Sequence, residues 1–577
     1  MHNEYDVIVI GSGVAGALTA WKLAQLGTCK ILILEAGDNG ITTGQRIQFH
    51  HLMDTQGNRG DSFAPYKDLE SRKYAPAAEN SQRELKDQKN DPKNYYDYSD
   101  ESPDPFKASY NRMVGGSTWA WRGNTPRYIP SDFRLQTEFG VGRDWPLDYN
   151  ELEPWYGQAE WELGISGNHD ELDRLFGGYR SQPFPMPGIP LGFSDLRVKA
   201  KIDGQTVRGK TIRVVTTPQA RNSTVFDNRP ACEGHSSCIP LCPIQAKYDA
   251  TVHLRRALQY PHVELRTGAV VTRLETGEDG CVSAVHYIDW KSNETPRVKC
   301  ARGAVVVLAA HAIETPKLLL MSNNLANSSG HVGRNLMDHI QYELTAIFPE
   351  SIYPFRGPQS IAGIDDFRDG PFRSERSAFR MTIGNDGWGR AGSPASVIAK
   401  LLDSTRPDKG LYGSQLPGAI AEIIPKMLRL SFSTEMLPEY TNRVELSEKT
   451  DALKIPRPKF TFDIGEYTKG GLVEGFETAR ALFELMGAEI EKKSIDDNQA
   501  IPKKWNTAAH IMGTTIMGDN PKDSVVDRWG RAHDVPNLWI AGSSVFTTSA
   551  TANPTVTIAA LTLRTAAAIH RHIQGGS

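Results

Sequence analysis

The sequence predicts a large α/β protein, with α/β organisation in its outer parts and α+β organisation in its middle. Three observations support this prediction: a strand–turn–helix–strand pattern over residues 5–37, a return to strand and then helix over residues 537–573, and mixed helical and strand-like runs over residues 340–500. Strands buried on both faces of a parallel sheet are near-continuous apolar runs, and both ends of the chain contain such runs.

Composition sets aside several classes of protein. The 577 residues include 65 basic and 68 acidic side chains, a formal net charge of −3, so nothing points to nucleic acid or an anionic membrane as a partner. Six cysteines are too few for a disulfide scaffold in a chain of this length. The longest apolar run, Gly303 to Ala310, is far shorter than the ~20 residues of a membrane-spanning helix. We therefore expect a globular protein that binds no nucleic acid and does not itself span a membrane.

The first element is a strand, a helix and a second strand over residues 5–37. Tyr5–Ile10 and Lys30–Glu35 are short apolar runs, as expected of buried parallel strands. Between them, hydrophobic side chains recur every three or four positions from Val14 to Leu26, which predicts a helix. Together these elements form a βαβ unit.

Three glycines join the first strand to the helix and predict a dinucleotide site. Gly11 would permit the tight turn, Gly13 would let a pyrophosphate approach the backbone, and Gly16 would allow close packing of helix on strand. Unpaired N–H groups at the start of the helix favour phosphates. Glu35 ends the second strand, where its carboxylate can accept hydrogen bonds from ribose hydroxyls and disfavours a 2′-phosphate. The pattern predicts FAD or NAD rather than NADP.

The middle of the chain is less regular. Residues 38–110 are polar and weakly periodic, which predicts a covering arm or a partly disordered segment. A helix is expected within residues 143–165, and strands at Val263–Leu274 and Ala304–Ala310. The last of these strands leads into a helix expected to start at Thr315, with proline in its first turn.

The C-terminal part places a histidine and an asparagine in positions suited to chemistry. His510 precedes a glycine-bearing turn, and Asn553 is expected to cap a helix that begins at Pro554. Leu538–Ser543 predicts a buried strand that ends in glycine. Oxidation of an alcohol requires a base with a pKa near neutral, and imidazole meets that requirement. A structural histidine and a simple helix cap are the alternative interpretation.

Together these motifs resemble the glucose–methanol–choline (GMC) flavoprotein oxidoreductases. The resemblance rests on Gly11–Gly16 with Glu35, Asn111–Trp119, Ala309–Leu320, His331–His339, the His510 turn and Asn553–Thr555, which span the chain from end to end. It implies a Rossmann-like FAD-binding domain with an inserted α+β substrate domain. The implied boundaries are 1–40, 108–130, 245–340 and 505–577 for the FAD-binding domain, 41–107 for a covering arm, and 131–244 and 341–504 for the substrate domain.

The resemblance also implies roles for individual residues. Those that would bind FAD are Gly11, Gly13, Gly16, Glu35, Ala36, Gly115, Gly116, Ser117, Val271, Gly542, Ser543, Asn553, Pro554 and Thr555. His510 would be the catalytic base that takes the hydroxyl proton as hydride passes to the flavin, with Asn553 as its partner. Several relatives bond the flavin covalently to a histidine at the place occupied here by Ala120, so we expect FAD to be bound non-covalently.

Three of the six cysteines fall within eleven residues. Cys232, Cys238 and Cys242 are spaced by five and then three residues, with a proline after the last, a pattern seen in iron–sulfur ligand runs. His235 allows a second interpretation, a Cys₃His zinc site. A third interpretation is that the three cysteines are unrelated buried thiols.

A subgroup of GMC enzymes is similar in this segment. The chain resembles the large subunits of bacterial membrane-associated sugar dehydrogenases, whose three cysteines at this spacing bind a 3Fe–4S cluster. The resemblance therefore implies an iron–sulfur segment over residues 231–243, with Cys232, Cys238 and Cys242 as ligands. A cluster that accepts one electron at a time suits a dehydrogenase better than an oxidase.

The function implied is oxidation of a sugar, glycoside or polyol hydroxyl to a carbonyl by FAD, with electrons passing through the cluster to a cytochrome. In the resembled complexes the acceptor is a c-type cytochrome subunit, and a small subunit carries an export signal. These relatives imply a periplasmic location, although the chain runs from Met1 almost directly into a strand and we expect no signal peptide of its own. The alternative function is a pyranose-oxidase-like sugar oxidase that produces hydrogen peroxide.

Overall fold

The computed structural model describes residues 4–27, 29–37, 95–169, 176–234, 238–239, 241–291, 296–385, 398–399, 401–403, 410–491 and 505–575. The strands are β1 Tyr5–Ile10, β2 Ile31–Glu35, β3 Asp97–Tyr98, β4 Ser166–Gly167, β5 Met186–Pro187, β6 Thr206–Val207, β7 Lys210–Thr211, β8 Val214–Thr216, β9 Val263–Thr267, β10 Ala269–Thr276, β11 Val282–Asp289, β12 Arg297–Ala301, β13 Gly303–Leu308, β14 Ile340–Ile347, β15 Ala362–Ile364, β16 Phe379–Gly384, β17 Met427–Thr434, β18 Arg443–Thr450, β19 Pro456–Thr461, β20 Glu489–Ile490, β21 Asn506–Thr507 and β22 Leu538–Ile540. The helices are α1 Val14–Leu26, α2 Leu135–Phe139, α3 Tyr149–Leu163, α4 Phe193–Ile202, α5 Thr251–Ala257, α6 His311–Met321, α7 Gln415–Ile423, α8 Gly465–Met486 and α9 Thr555–Ile573.

A five-stranded sheet in the order β22-β13-β1-β2-β9 forms the nucleotide-binding part of the fold. All four of its strand pairings are parallel, and β1 pairs with β13 from Tyr5↔Gly303 to Ile10↔Leu308. The apolar runs β1 and β22, from the two ends of the chain, both belong to this sheet, and β13 lies between them. Helix α1 packs against both α5 and α9, and the predicted βαβ unit is confirmed.

A second, mainly antiparallel sheet is built from the middle of the chain. Its order is β20-β14-β17-β16-β15-β8, with β21 also paired to β14. Strand β14 alternates buried and half-buried side chains, so one face packs on the core. The long helix α8 lies against β14 and β17 and buries its small and apolar residues there. The combination of this sheet with the parallel one confirms the predicted α/β fold class with an α+β middle.

Helix α6 departs from the prediction, because it begins at His311, four residues before the expected start at Thr315. Pro316 therefore lies inside the helix and supplies no N–H to the carbonyl of Ala312. The hydroxyl of Thr514 donates to that carbonyl instead, at 2.7 Å. Proline is tolerated here because a side chain distant in sequence satisfies the carbonyl.

The segment expected to be a covering arm is described only from residue 95 onward. Strand β3 pairs in parallel with β19, so this end of the arm is part of a three-stranded sheet. Tyr96 and Phe106 pack their rings on Phe460, with centroids 4.6 Å apart in both cases. The rest of the predicted arm, 41–94, lies outside the described residues.

Candidate active site

The glycine turn after β1 has the geometry expected of a phosphate-binding loop. Gly11 has φ +101°, and a Cβ there would lie 2.5 Å from the carbonyl oxygen of Ala309. A Cβ on Gly16 would lie 1.9 Å from the carbonyl oxygen of Gly11, so only glycine lets α1 sit this close to the turn. Gly13 borders open space at the N-terminus of α1. A phosphate could therefore approach the backbone at Gly13.

Glu35 is buried at the end of β2 and turns back toward the glycine loop. Its Oε2 accepts from the backbone N–H of Ser12 at 2.9 Å and from the Ser12 hydroxyl at 2.7 Å. Its Oε1 accepts from the backbone N–H of Gly37 at 2.8 Å. Burial raises the pKa of this carboxyl, while these hydrogen bonds and the nearby Arg112 lower it. Glu35 thus organises the turn as well as bordering it.

The second glycine segment lies against the first. The Ser12 hydroxyl accepts from the backbone N–H of Gly115 at 3.3 Å. A Cβ on Gly116 would lie 3.1 Å from the Cα of Gly13, and both Gly115 and Gly116 have positive φ. The Ser117 hydroxyl accepts from the backbone N–H of Asn111 at 3.1 Å and so holds its own segment in place. Two glycine loops therefore border the same space.

Ala36 and Val271 lie beside the end of β2. The carbonyl of Ala36 accepts from the indole Nε1 of Trp290 at 2.9 Å. Val271 is on β10, which packs against β2, and a bulge follows it before Arg273. β-Bulges redirect side chains and often lie beside functional sites.

The segment after β22 closes the space from the other side. Gly542, with φ +123°, comes within 3.7 Å of the Ala15 side chain, measured from the Cβ that it would carry. The carbonyl of Ser543 accepts from the backbone N–H of Gly513 at 3.1 Å. The segments carrying residues 11–16, 513 and 542–543 are therefore neighbours.

His510 and Asn553 are brought together, although they are 43 residues apart. The amide nitrogen of Asn553 lies 3.0 Å from Nε2 of His510. The prediction that Asn553 caps the following helix is wrong, because Pro554 is the N-cap residue of α9 and no side chain caps it. The Asn553 amide contacts the histidine instead. Pro554 follows Asn553 directly, and Thr555 is the first residue of α9.

Two residues that the sequence did not single out, His339 and Asp338, contact the ring Nδ1 and the backbone N–H of His510. Nδ1 of His339 lies 2.8 Å from Nδ1 of His510, and Nε2 of His339 faces the carbonyls of Ser549 and Ala550 at 3.1 and 2.9 Å. The carboxylate of Asp338 accepts from the backbone N–H of His510 at 2.7 Å. Both belong to the His331–His339 motif, which was the signal available in the sequence.

Burial determines the protonation of this group. Desolvation, and secondarily the proximity of His339, lowers the pKa of His510 well below 6.5. Desolvation also lowers the pKa of His339 to about 4. In contrast, burial raises the pKa of Asp338 to about 6, opposed by hydrogen bonds from Thr507 and two backbone N–H groups. At neutral pH both imidazoles are uncharged and Asp338 is mainly ionised.

The three clustered cysteines line one cavity. Cys232, Cys238 and Cys242 border one pocket that is partly open to solvent. Burial raises the pKa of the Cys232 thiol, and the nearby guanidinium of Arg221 lowers it. Nη1 of Arg221 lies 3.5 Å from Sγ of Cys238, and Lys247 also lines the cavity. Thiols and two buried cations thus share this space.

Lys247 links the cysteine segment to the second glycine segment. Its ammonium donates to the carbonyls of Trp119, Trp121 and Cys238 at 2.5 to 2.7 Å. Trp119 packs on Leu241, next to Cys242, and its indole nitrogen would be 2.7 Å from a Cβ on Gly115. Trp119 therefore contacts both the cysteine segment and the second glycine segment.

The described residues contain neither a compact group of metal ligands nor a membrane-spanning helix. In that part of the chain, no three His, Cys, Asp or Glu side chains are grouped closely enough to hold a metal ion. His235, the fourth ligand of the alternative zinc site, lies outside the described ranges. Among the described helices, none is both long and apolar enough to cross a membrane.

Comparisons with known proteins agree with this geometry. Residues 110–341 and 438–562 match the N-terminal and C-terminal regions of GMC oxidoreductase. The chain is 33% identical to the fructose dehydrogenase large subunit of Gluconobacter japonicus over 100% of both chains. It is 23% identical to the gluconate 2-dehydrogenase flavoprotein of Pantoea cypripedii, over 98% of this chain and 94% of the relative.

A solved structure shows the same fold. The crystal structure of pyridoxine 4-oxidase from Mesorbium loti superposes with a TM-score of 0.60 and 17% sequence identity. It covers 99% of this chain and 100% of its own. With two matched regions and a relative more than 30% identical over its full length, the chain belongs to the GMC oxidoreductases, a family of FAD flavoproteins that act on alcohol groups.

Proposed function

We propose that the protein is an FAD-dependent dehydrogenase that oxidises a hydroxyl of a sugar, glycoside or polyol to a carbonyl. The observation that carries this proposal is the contact between His510 and Asn553, an uncharged imidazole beside an amide in a chain of the GMC family. The similarity to a fructose dehydrogenase large subunit and to a gluconate 2-dehydrogenase flavoprotein favours a sugar-type substrate.

The residues around the glycine turn fit FAD. Open space at Gly13, facing Gly116 across the two glycine loops, suits the pyrophosphate, and Glu35 suits the ribose. Ala36 and Val271 would flank the adenine, and Gly542, Ser543 and Thr555 would border the flavin. FAD bound there supplies a hydride acceptor. Ala120, which lacks a nucleophilic side chain, supports non-covalent binding.

In this mechanism the substrate hydroxyl binds to both His510 and Asn553 and replaces the direct hydrogen bond between them. His510 accepts the hydroxyl proton at Nε2, the nitrogen that faces Asn553. The Asn553 amide donates to the substrate oxygen and carries no charge that would compete with the proton. Desolvation of His510 keeps its imidazole unprotonated until the substrate supplies its proton.

We further propose that Cys232, Cys238 and Cys242 hold a 3Fe–4S cluster that relays electrons to a cytochrome-type acceptor. Their shared cavity supports this assignment. Two nearby cations, Arg221 and Lys247, would offset the negative charge of the thiolates.

The proposal extends to partners and location. Because relatives are subunits of larger enzymes by name, we propose that the chain pairs with a small export subunit and a c-type cytochrome subunit in the periplasm. The proposed division is a FAD-binding domain over 1–40, 108–130, 245–340 and 505–577, with 131–244 and 341–504 as the substrate domain.

Anaerobic flavin bleaching tests the activity. D-fructose, D-glucose, D-gluconate and methyl α-D-glucoside are mixed in turn with the purified holoenzyme. We expect at least one to bleach the visible flavin band, and the His510→Ala variant to bleach at least about 100-fold more slowly. The exposed-surface variant His286→Ala serves as the control. No bleaching by any of the four would contradict the sugar assignment.

Iron analysis and electron paramagnetic resonance test the relay. We expect about three iron atoms per chain and a signal from the oxidised cluster, both lost in Cys238→Ser but retained in Cys300→Ser. Absence of iron, together with turnover in air that releases hydrogen peroxide, would favour the sugar oxidase instead.

A further inference from the structure

The hydrogen bonds around His339 determine which of its nitrogens carries the proton. Its Nε2 faces two backbone carbonyls, those of Ser549 at 3.1 Å and Ala550 at 2.9 Å. A carbonyl can only accept, so Nε2 of His339 must be the N–H. His339 is fully buried, and desolvation lowers its pKa to about 4, so the ring is neutral and its Nδ1 carries a lone pair.

The proton on His510 follows from that assignment. The two Nδ1 atoms are 2.8 Å apart, and two lone pairs at that distance would repel. Nδ1 of His510 must therefore carry the hydrogen and donate it to His339. Nε2 of His510 is then left with its lone pair, and the Asn553 amide nitrogen, 3.0 Å away, is a suitable donor to it.

We propose that His339 is a positioning residue that fixes His510 in the Nδ1–H tautomer, so that Nε2 is the basic nitrogen. This inference rests on the proposed function for the identity of the base, but the tautomer itself is a property of the chain. A free neutral imidazole interconverts between two tautomers, and one of them presents an N–H to the substrate instead of a lone pair.

The surroundings of His339 keep it in place. The Ser549 hydroxyl accepts from the backbone N–H of Met436 at 2.9 Å and donates to the Met436 carbonyl at 2.9 Å, which anchors the segment facing His339. Ala550 has a positive φ of 51°, a conformation that alanine holds only when its neighbours impose it. Of the charged groups near His339, Glu435 raises its pKa and Arg368 lowers it, so the two oppose each other.

Asp338 holds the backbone of His510, and His339 holds the imidazole ring of His510. Its carboxylate accepts from the backbone N–H of His510 and also from the Thr507 hydroxyl, which in turn accepts from the backbone N–H of Ala509 at 2.8 Å. One dipeptide at the start of β14 therefore holds both the chain and the imidazole of His510. With the backbone fixed by Asp338, a change at His339 acts mainly on the ring.

Nuclear magnetic resonance of the holoenzyme with ¹⁵N-labelled histidine tests the tautomer directly. The two ring nitrogens of a neutral histidine have distinct shifts, and comparison with His510→Ala assigns the signals. We expect wild-type His510 at pH 7.5 to be the Nδ1–H tautomer. The Nε2–H tautomer would overturn the proposal whatever the activity of the enzyme.

Two substitutions test the consequence. His339→Asn keeps an acceptor near His510 and a donor toward the carbonyls, whereas His339→Leu removes both. With D-fructose, or whichever of the four test sugars bleaches the wild type, we expect flavin reduction by His339→Leu to slow by at least about tenfold, with the KM changing less than about threefold. The rate of flavin reduction by His339→Asn should lie within about threefold of the wild-type rate, and the control variant His286→Leu should match the wild type.

The outcomes separate the two proposals. His339→Leu reducing its flavin at the wild-type rate, or His339→Asn reducing it as slowly as His339→Leu with normal FAD content, would overturn the positioning role. If no test sugar bleaches the wild type, the proposed substrate class fails while the resonance measurement still decides the tautomer.

Discussion

The carboxylate of Glu35 accepts two hydrogen bonds from Ser12, one from its backbone N–H and one from its hydroxyl. Because Ser12 lies between two glycines of the turn, the residue expected to bind ribose also holds the loop expected to bind phosphate. An ionised carboxylate offers about four acceptor positions, and Gly37 occupies a third. One position remains for a ribose hydroxyl.

Replacing Glu35 should weaken FAD binding through both of these roles. We expect Glu35→Ala to raise the Kd for FAD by about 10–100-fold, since a hydrogen bond to a charged group contributes about 1.5–3 kcal/mol. Ser12→Ala removes only the hydroxyl bond and should have a smaller effect. Fluorescence titration of the apoprotein with FAD measures both, with Glu275→Ala on the exposed end of β10 as the control. If Ser12→Ala and Glu35→Ala raise the Kd for FAD equally, Glu35 acts only by holding the loop and does not bind the ribose.

Flavin reduction should show no titration near the ordinary histidine pKa. Desolvation lowers the pKa of His510 well below 6.5, so the base stays neutral and competent as the pH falls through 6.5. The rate should fall only under more acidic conditions, where His510 or His339 gains a proton. Stopped-flow measurement of flavin reduction against pH checks this. A midpoint at or above pH 6.5 would contradict it.

Lys247→Met should destabilise the protein. The substitution leaves three buried carbonyls without their shared donor, at a cost of about 3 kcal/mol in the free energy of unfolding. Lys449→Met removes an exposed ion pair with Asp97 and should change that free energy by less than about 0.5 kcal/mol. Denaturant unfolding of the two variants gives the comparison. A loss for Lys247→Met no larger than that for Lys449→Met would show that the buried ammonium contributes no net stability.

FAD should be released when the protein is denatured. Ala120 offers no nucleophile for a bond to the flavin, so acid precipitation should leave all of the flavin in the supernatant. Absorbance of the supernatant and pellet measures the partition. Flavin that stays with the pellet would reveal a covalent link to a different residue.

Local patterns were sufficient to predict the parallel sheet. β1, β2, β13 and β22 are short apolar runs next to glycines, and no long-range information is needed to recognise them. The helix at 311–321 was predicted to begin too late because Pro316 normally marks a first turn. The compensating donor, Thr514, is 202 residues from Ala312, so local sequence could not reveal it.

The site was predicted in part. The resemblance supplied His510 and Asn553, which the fold does bring into contact, but the expected cap by Asn553 was wrong. The contact between His339 and His510 joins residues 171 apart. Such a contact depends on the packing of β14 beside the 505–510 segment, which periodicity does not encode.

The anchoring of His510 has a consequence for biosynthesis. Its ring is held by His339, made long before it, and His339 is in turn held by the carbonyls of Ser549 and Ala550, made after it. A nascent chain that has been synthesised only as far as His510 still lacks Ser549 and Ala550, whose carbonyls hold His339. Enzymatic competence should therefore appear late in translation, with the segment leading into the last helix, and the growing polypeptide should stay inert toward alcohols until then.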